Sequence, residues 1–158
     1  MRIGIFSNEI KDKGNSEAIK LSELLRIRSY EVFLFNNADR PYLNTIIQET
    51  EVDLLLVLGG DGTILGVVSS AARNNVPMLG INMGHIGFLT EVEYGDNLAK
   101  VIEDLAARNY TVDERTLIEV KDQDKSYLAL NEVLMSRNED CCVASIDVRV
   151  DNAFLDRY

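Results

Sequence analysis

Asp53-Leu54-Leu55-Leu56-Val57-Leu58-Gly59-Gly60-Asp61-Gly62-Thr63 decides the fold of this 158-residue chain. Its aliphatic run shows no polar alternation, as expected of a strand buried on both faces of a parallel sheet. A helical pattern begins near Ile64, so strand, glycine turn and helix start follow in immediate succession. Three glycines in four positions allow φ > 0 and let a ligand approach the backbone with no Cβ in the way. The helix start behind them offers unpaired N–H groups and a partial positive charge to an anion. Asp61 is the side chain among these glycines fit for acid–base work. The stretch reads as a phosphate-handling site with Asp61 at its reacting centre.

Strand and helix patterns alternate outward from it. Arg2 to Phe6 reads as a strand ending at Ser7-Asn8, and Asn15 or Ser16 is placed to cap a helix bearing Ala18, Leu21, Leu24 and Leu25. Glu31 to Phe35 is a second strand, and Pro41 opens a short helix through Ile46 and Ile47. Beyond the glycine turn, Leu65, Val68, Ser69 and Ala72 form a helix face, followed by the strand Pro77 to Ile81. Asp96 or Asn97 caps a helix with Leu98, Val101, Ile102, Leu105 and Ala106 inside. This alternation predicts an α/β fold with a parallel, Rossmann-like sheet and right-handed crossovers. Ligands bind such sheets at the carboxyl ends of the strands. The texture changes after Asn109: Thr111 to Lys121, Tyr127 to Ser136 and Ala144 to Val150 read as strands with no helix between them. The division expected is an α/β nucleotide-binding domain over residues 1–109 and the first strands of an antiparallel, sandwich-like all-β domain over 110–158. Three strands are too few to close a sandwich, so that domain reads as incomplete.

A formal charge of −10 leaves no basic excess for a nucleic-acid backbone. No run of about 18 apolar residues suggests a membrane span, and Met1 to Phe6 lacks the length and cleavage site of a signal peptide. The expected setting is cytoplasmic. Cys141 and Cys142 are adjacent, His85 is the sole histidine, and no zinc-ligand spacing occurs, so no metal-binding residue is assigned. Arg73, Arg137 and Arg149 are scattered and receive no role.

No Walker motif is present, and no G-x-G-x-x-G follows a strand. A second glycine cluster does, in Gly80-Ile81-Asn82-Met83-Gly84-His85-Ile86-Gly87-Phe88-Leu89. Two glycine-rich loops at neighbouring strand ends suit one cleft. Asn131 and Glu132 interrupt the apolar stretch from Leu128 to Met135, and two such polar groups are costly if buried without partners. A ligand role would satisfy both; a solvent-facing strand edge would accommodate one of the two more easily than both.

Gly59-Gly60-Asp61-Gly62-Thr63, the cluster at 80–89, and Leu130-Asn131-Glu132 together resemble the NAD kinases, in that family's order and at its approximate spacing. The first motif alone also resembles diacylglycerol and sphingosine kinases and, more distantly, phosphofructokinases. The resemblance implies transfer of the γ-phosphoryl group of ATP, or of polyphosphate, to the 2′-hydroxyl of the adenosine ribose of NAD, giving NADP. It implies Asp61 as proton acceptor, with Gly59, Gly60, Gly62, Thr63, Asn82, Gly84, Gly87, Phe88, Leu89, Asn131 and Glu132 at the nucleotide. Phe88 and Leu89 would form the apolar side of the adenine pocket. Mg²⁺ or another divalent ion would neutralise the triphosphate, and a homodimer or homotetramer is expected. The family's second Gly/Ser/Thr-rich segment is not found here, so the 158-residue chain alone is expected to be weakly active or inactive. Two alternatives stand beside this reading: a lipid kinase of the diacylglycerol kinase type, and a non-catalytic nucleotide-binding module in which Asp61 caps its helix.

Overall fold

The computed structural model describes residues 1–84, 87–95, 98–136 and 145–158. His85, the caps expected at Asp96 or Asn97, Arg137, Cys141, Cys142 and the start of the strand expected at Ala144 lie outside them. Strands β1 (Arg2–Ser7), β2 (Glu31–Phe35), β3 (Leu54–Gly59), β4 (Met78–Asn82) and β5 (Val92–Glu93) form one sheet in the order β2-β1-β3-β4-β5. Every pairing in it is parallel. The two-residue β5 is an addition to the sequence reading; it is too short to leave a periodic signal.

The unbroken apolar run of β3 has a direct cause. Leu54, Leu56 and Leu58 face helices α1 (Ser16–Ile27) and α4 (Leu98–Ala107), where they meet Leu21, Leu25, Ile102 and Leu105. Leu55 and Val57 face α2 (Leu43–Thr50) and α3 (Asp61–Arg73), where they meet Leu43, Ile47, Ile64 and Val67. Alternate side chains of one strand thus enter two different cores.

Local expectations are corrected at three places. Helix α1 is held by Asp12, whose carboxylate accepts from the N–H groups of Glu17 at 2.9 Å and Ala18 at 3.0 Å. Asn15 has left-handed φ and makes no side-chain cap. The buried face of α3 is Ile64, Val67, Val68 and Ala71, one residue out of phase with the face read from sequence, and Leu65 is exposed. None of the glycines of the 59–62 turn has positive φ; what they provide there is space.

Past α4 the chain forms two antiparallel pairs, β6 (Ile118–Asp122) with β7 (Lys125–Ala129) and β8 (Asp147–Val150) with β9 (Ala153–Arg157). Asp151 and Asn152 both have positive φ, as a two-residue hairpin turn of the primed type requires. Arg73 at the end of α3 donates to the Ser126 carbonyl at 2.7 Å, tying β7 to the helix behind the glycine turn. The strands expected over Thr111 to Lys121 and Tyr127 to Ser136 are shorter in the structure. Residues 111–117 carry Asp113-Glu114-Arg115 and have no ladder partner, so the pairing of Ile118 with Ala129 is its last rung. The closing segment, left without an element by the sequence reading, is strand β9.

Candidate active site at the sheet switch point

The chain leaves β1 toward β2 on one side and returns to β3 on the other, so the topology reverses between β1 and β3. A crevice forms at the carboxyl ends of strands at such a point. Three turns meet there. Asn8, just past β1, donates its N–H to the Leu58 carbonyl at 3.1 Å and its side-chain amide to Thr63 Oγ1 at 3.0 Å. Gly59 ends β3, and its carbonyl accepts from the Met83 N–H at 3.0 Å. The turns after β1, β3 and β4 are therefore bonded to one another.

Gly60 is extended, with φ −138 and ψ −171, and its carbonyl accepts from Thr63 at 2.8 Å and Ile64 at 3.2 Å to start α3. Thr63 Oγ1 returns to the Gly60 N–H at 3.4 Å, half of a capping box. A Cβ on Gly59 would stand 2.3 Å from Thr63 Oγ1, so glycine is what allows this packing.

Asp61 opens α3 and points across to the turn after β4. Its Oδ2 accepts from the Phe88 N–H at 2.8 Å and its Oδ1 from the Leu89 N–H at 3.0 Å. A Cβ on Gly87 would fall 2.1 Å from Oδ1, so Gly87 is the gap into which the carboxylate fits. The Phe88 and Leu89 N–H groups, helped by the Thr90 N–H and the charge of Lys11, hold the Asp61 carboxyl below the usual carboxylate range. Two accepted hydrogen bonds leave lone pairs on both oxygens. The group is ionised, oriented, and still able to accept a hydroxyl proton.

The other residues read from sequence divide into two sets. Asn82 is buried, pairs with Gly59 in the ladder, and its Oδ1 accepts from the Gly84 N–H at 3.0 Å. A Cβ on Gly62 or Gly84 would meet open space. Phe88 is 98% exposed, whereas Leu89 packs against the core under α3. These stand with Asp61. Asn131 and Glu132 follow the end of β7 and are exposed, and among the described residues neither has a hydrogen bond to the glycine turns.

Sequence reasoning missed Asn8, Lys11 and Thr90. Thr90 is buried and its Oγ1 accepts from the Gly87 N–H at 3.3 Å. Asn8 was within reach of it, being the first polar residue past a strand at the switch point; Lys11 and Thr90 left no local signal. A cavity of about 360 Å³ lies beside the second turn, lined by Asn82, Met83, Gly84, Glu93 and Tyr94. A larger depression of about 660 Å³ sits at the amino ends of the strands, around Arg2 and its ion-pair partners Glu31 and Glu51. That one is away from the crevice and is a surface charge cluster.

Residues 36–110 match the family model of the ATP-NAD kinase N-terminal domain. An NAD kinase of Caldicellulosiruptor saccharolyticus is 31% identical over 158 residues, which cover 100% of this chain and 57% of the relative. An NAD kinase of Methanothermobacter thermautotrophicus is 34% identical over 157 residues, covering 96% and 55% respectively. One of Symbiobacterium thermophilum is 40% identical over 113 residues, 68% of this chain and 40% of that protein. The chain thus spans a little over half the length of the first two. With the family model over the glycine turns and similarity along the whole sequence, the chain matches the N-terminal portion of the NAD kinases.

Proposed function

We propose that the protein transfers a phosphoryl group from ATP, or from polyphosphate, to the 2′-hydroxyl of the adenosine ribose of NAD. The observation that supports this most is the Asp61 carboxylate, ionised and held by two backbone N–H groups where three turns converge. The ribose oxygen attacks the terminal phosphorus, the new O–P bond forms, and the bond to the bridging oxygen breaks to release ADP. The hydroxyl proton passes to Asp61 and from there to solvent. A carboxylate is a weak base, but in a loose transition state the proton leaves late, so orientation matters more than basicity. Gly62 and Gly84 leave the backbone open to phosphates, Gly59, Gly60 and Gly87 make room for the side chains of Thr63, Lys11 and Asp61 around the nucleotide, Asn82 and Thr63 fix the two turns, and Phe88 offers an aromatic face for adenine. Asn131 and Glu132 would complete the grip on the nucleoside.

Among the described residues no group of three or more His, Cys, Asp or Glu side chains is arranged to hold a metal. A divalent ion carried by the donor phosphates would offset their charge. In the same reading residues 1–109 are the nucleotide-binding unit, residues 110–158 belong to a β unit, and the protein is a cytoplasmic homo-oligomer. No described helix is long and apolar enough to cross a membrane.

The test is phosphate transfer from radiolabelled ATP by the protein as its gene encodes it, with NAD and diacylglycerol offered together. Label on NAD at the 2′ position, read with an NADP-specific dehydrogenase, is expected. Label on lipid alone would end the reading.

A further inference from the structure

We propose that Lys11 binds the phosphoryl donor: its ammonium, seated over Gly60 beside the Asp61 carboxylate, takes the oxygens of a triphosphate chain, whether nucleoside triphosphate or inorganic polyphosphate. This rests on the kinase reading given above. A Cβ built on Gly60 would lie 2.7 Å from Lys11 Nζ and 3.9 Å from its Cε, so the ammonium occupies the space that the missing side chain leaves. Among the described residues Nζ makes no hydrogen bond or salt bridge. Asp61, the obvious partner, feels the charge of Lys11 without forming an ion pair with it; its oxygens are oriented by the Phe88 and Leu89 N–H groups. The cation is left available, not neutralised by the base next to it.

Lys11 is also presented from a fixed backbone. Its N–H donates to the Asn8 carbonyl at 2.9 Å, and Asn8 is itself bonded to Thr63. The next residue, Asp12, is 1% exposed and accepts from Ser7 Oγ at 2.8 Å and from the first turn of α1. Burial pushes the Asp12 carboxyl up, yet these hydrogen bonds outweigh it and leave the group ionised. A flexible side chain on a pinned loop therefore reaches over the turn. There it meets an electrostatic need: a donor phosphate entering beside an ionised Asp61 is repelled, and a cation between them offsets that repulsion.

Titration calorimetry with magnesium tripolyphosphate and with magnesium ATP, on wild type, Lys11→Met and Lys11→Arg, tests this. Lys11→Met is expected to weaken both ligands by about tenfold or more, the loss of one charge-assisted hydrogen bond. Lys11→Arg should recover most of it, with Tm unchanged in both variants. Equal affinities in wild type and Lys11→Met would overturn the proposal. So would weakening of ATP alone, which would assign Lys11 to the nucleoside, or failure of wild type to bind either ligand. If wild type makes no NADP while the loss of tripolyphosphate binding persists, the kinase reading fails and the phosphate site stands.

Discussion

The two ends of this chain carry similar proportions of apolar residues and fold to different effect. Between Ile3 and Leu105, one sheet with helices on both faces buries the interiors of its central strands β1 and β3 completely, with Ile3, Ile5, Leu55 and Leu58 at 0% exposure. Past α4, two hairpins bury no residue among those described, and Leu134 and Leu155 are 86% and 62% exposed. A parallel strand flanked by two neighbours and two helix layers encloses every side chain it carries. A two-stranded hairpin has one neighbour per strand, and here, among the described residues, only β7 is tied to a helix, through Arg73 of α3. Rigidity, and with it the precise placement of a reacting group, belongs to the first region.

The comparison can be attacked first through chemistry. Asp61→Asn is expected to lower kcat by about 10²–10⁴, the usual worth of a positioned base. NAD affinity should fall by less than about tenfold. Glu132→Gln, in the exposed region, is expected to raise the KM for NAD by about tenfold with kcat nearly intact. Steady-state kinetics on both variants would erase the distinction if the two profiles exchanged places. Stability offers the next contrast: Leu56→Ala should cost about 2–5 kcal/mol in urea unfolding. Leu155→Ala should stay within about 0.5 kcal/mol. A large loss at Leu155 would mean that the hairpins have cover in solution. Asp12→Ala is expected to cost about 1–2 kcal/mol, because it strips the N-terminal hydrogen bonds from α1, and circular dichroism should show the helix fraying.

The smallest effect expected is an absence of one. Since hydrogen bonding depresses the Asp61 carboxyl in the folded protein, its contribution is fully present above the unfolded value of about 3.9 and lost only as pH falls through the lower folded one. Between pH 5 and 8, kcat/KM should carry no limb from Asp61. An acid limb with an apparent pKa near 6 would show that the turn after β4 does not hold the carboxylate in the free enzyme.

The strand-turn-helix around Gly59 was legible because its signals are local: a continuous apolar run, glycines, and helical spacing in adjacent windows. The fold class followed from repeating that pattern. The hydrogen bonds from Phe88 and Leu89 to Asp61 were not legible, since they join residues 27 and 28 positions apart. Two glycine clusters in one cleft could be inferred; one carboxylate bridging them could not. The phase of α3 was missed for a related reason. Hydrophobic spacing fits Leu65 as well as Ile64, and the direction in which Asp61 is held selects the latter. At Asn131 and Glu132 the propensity of the stretch suggested a strand, but a strand needs a partner, and β6 begins only at Ile118, opposite Ala129.

Asp61 is also a peg: the turn after β4 hangs from its two oxygens. An asparagine there presents one acceptor and one donor to two N–H groups, so one side of the peg repels what it used to hold. Removing the base therefore deforms the receptacle. A dinucleotide sensor made from this protein should keep Asp61 and discard the ammonium of Lys11, which is predicted to weaken the phosphoryl donor by about tenfold while leaving the shape of the crevice alone.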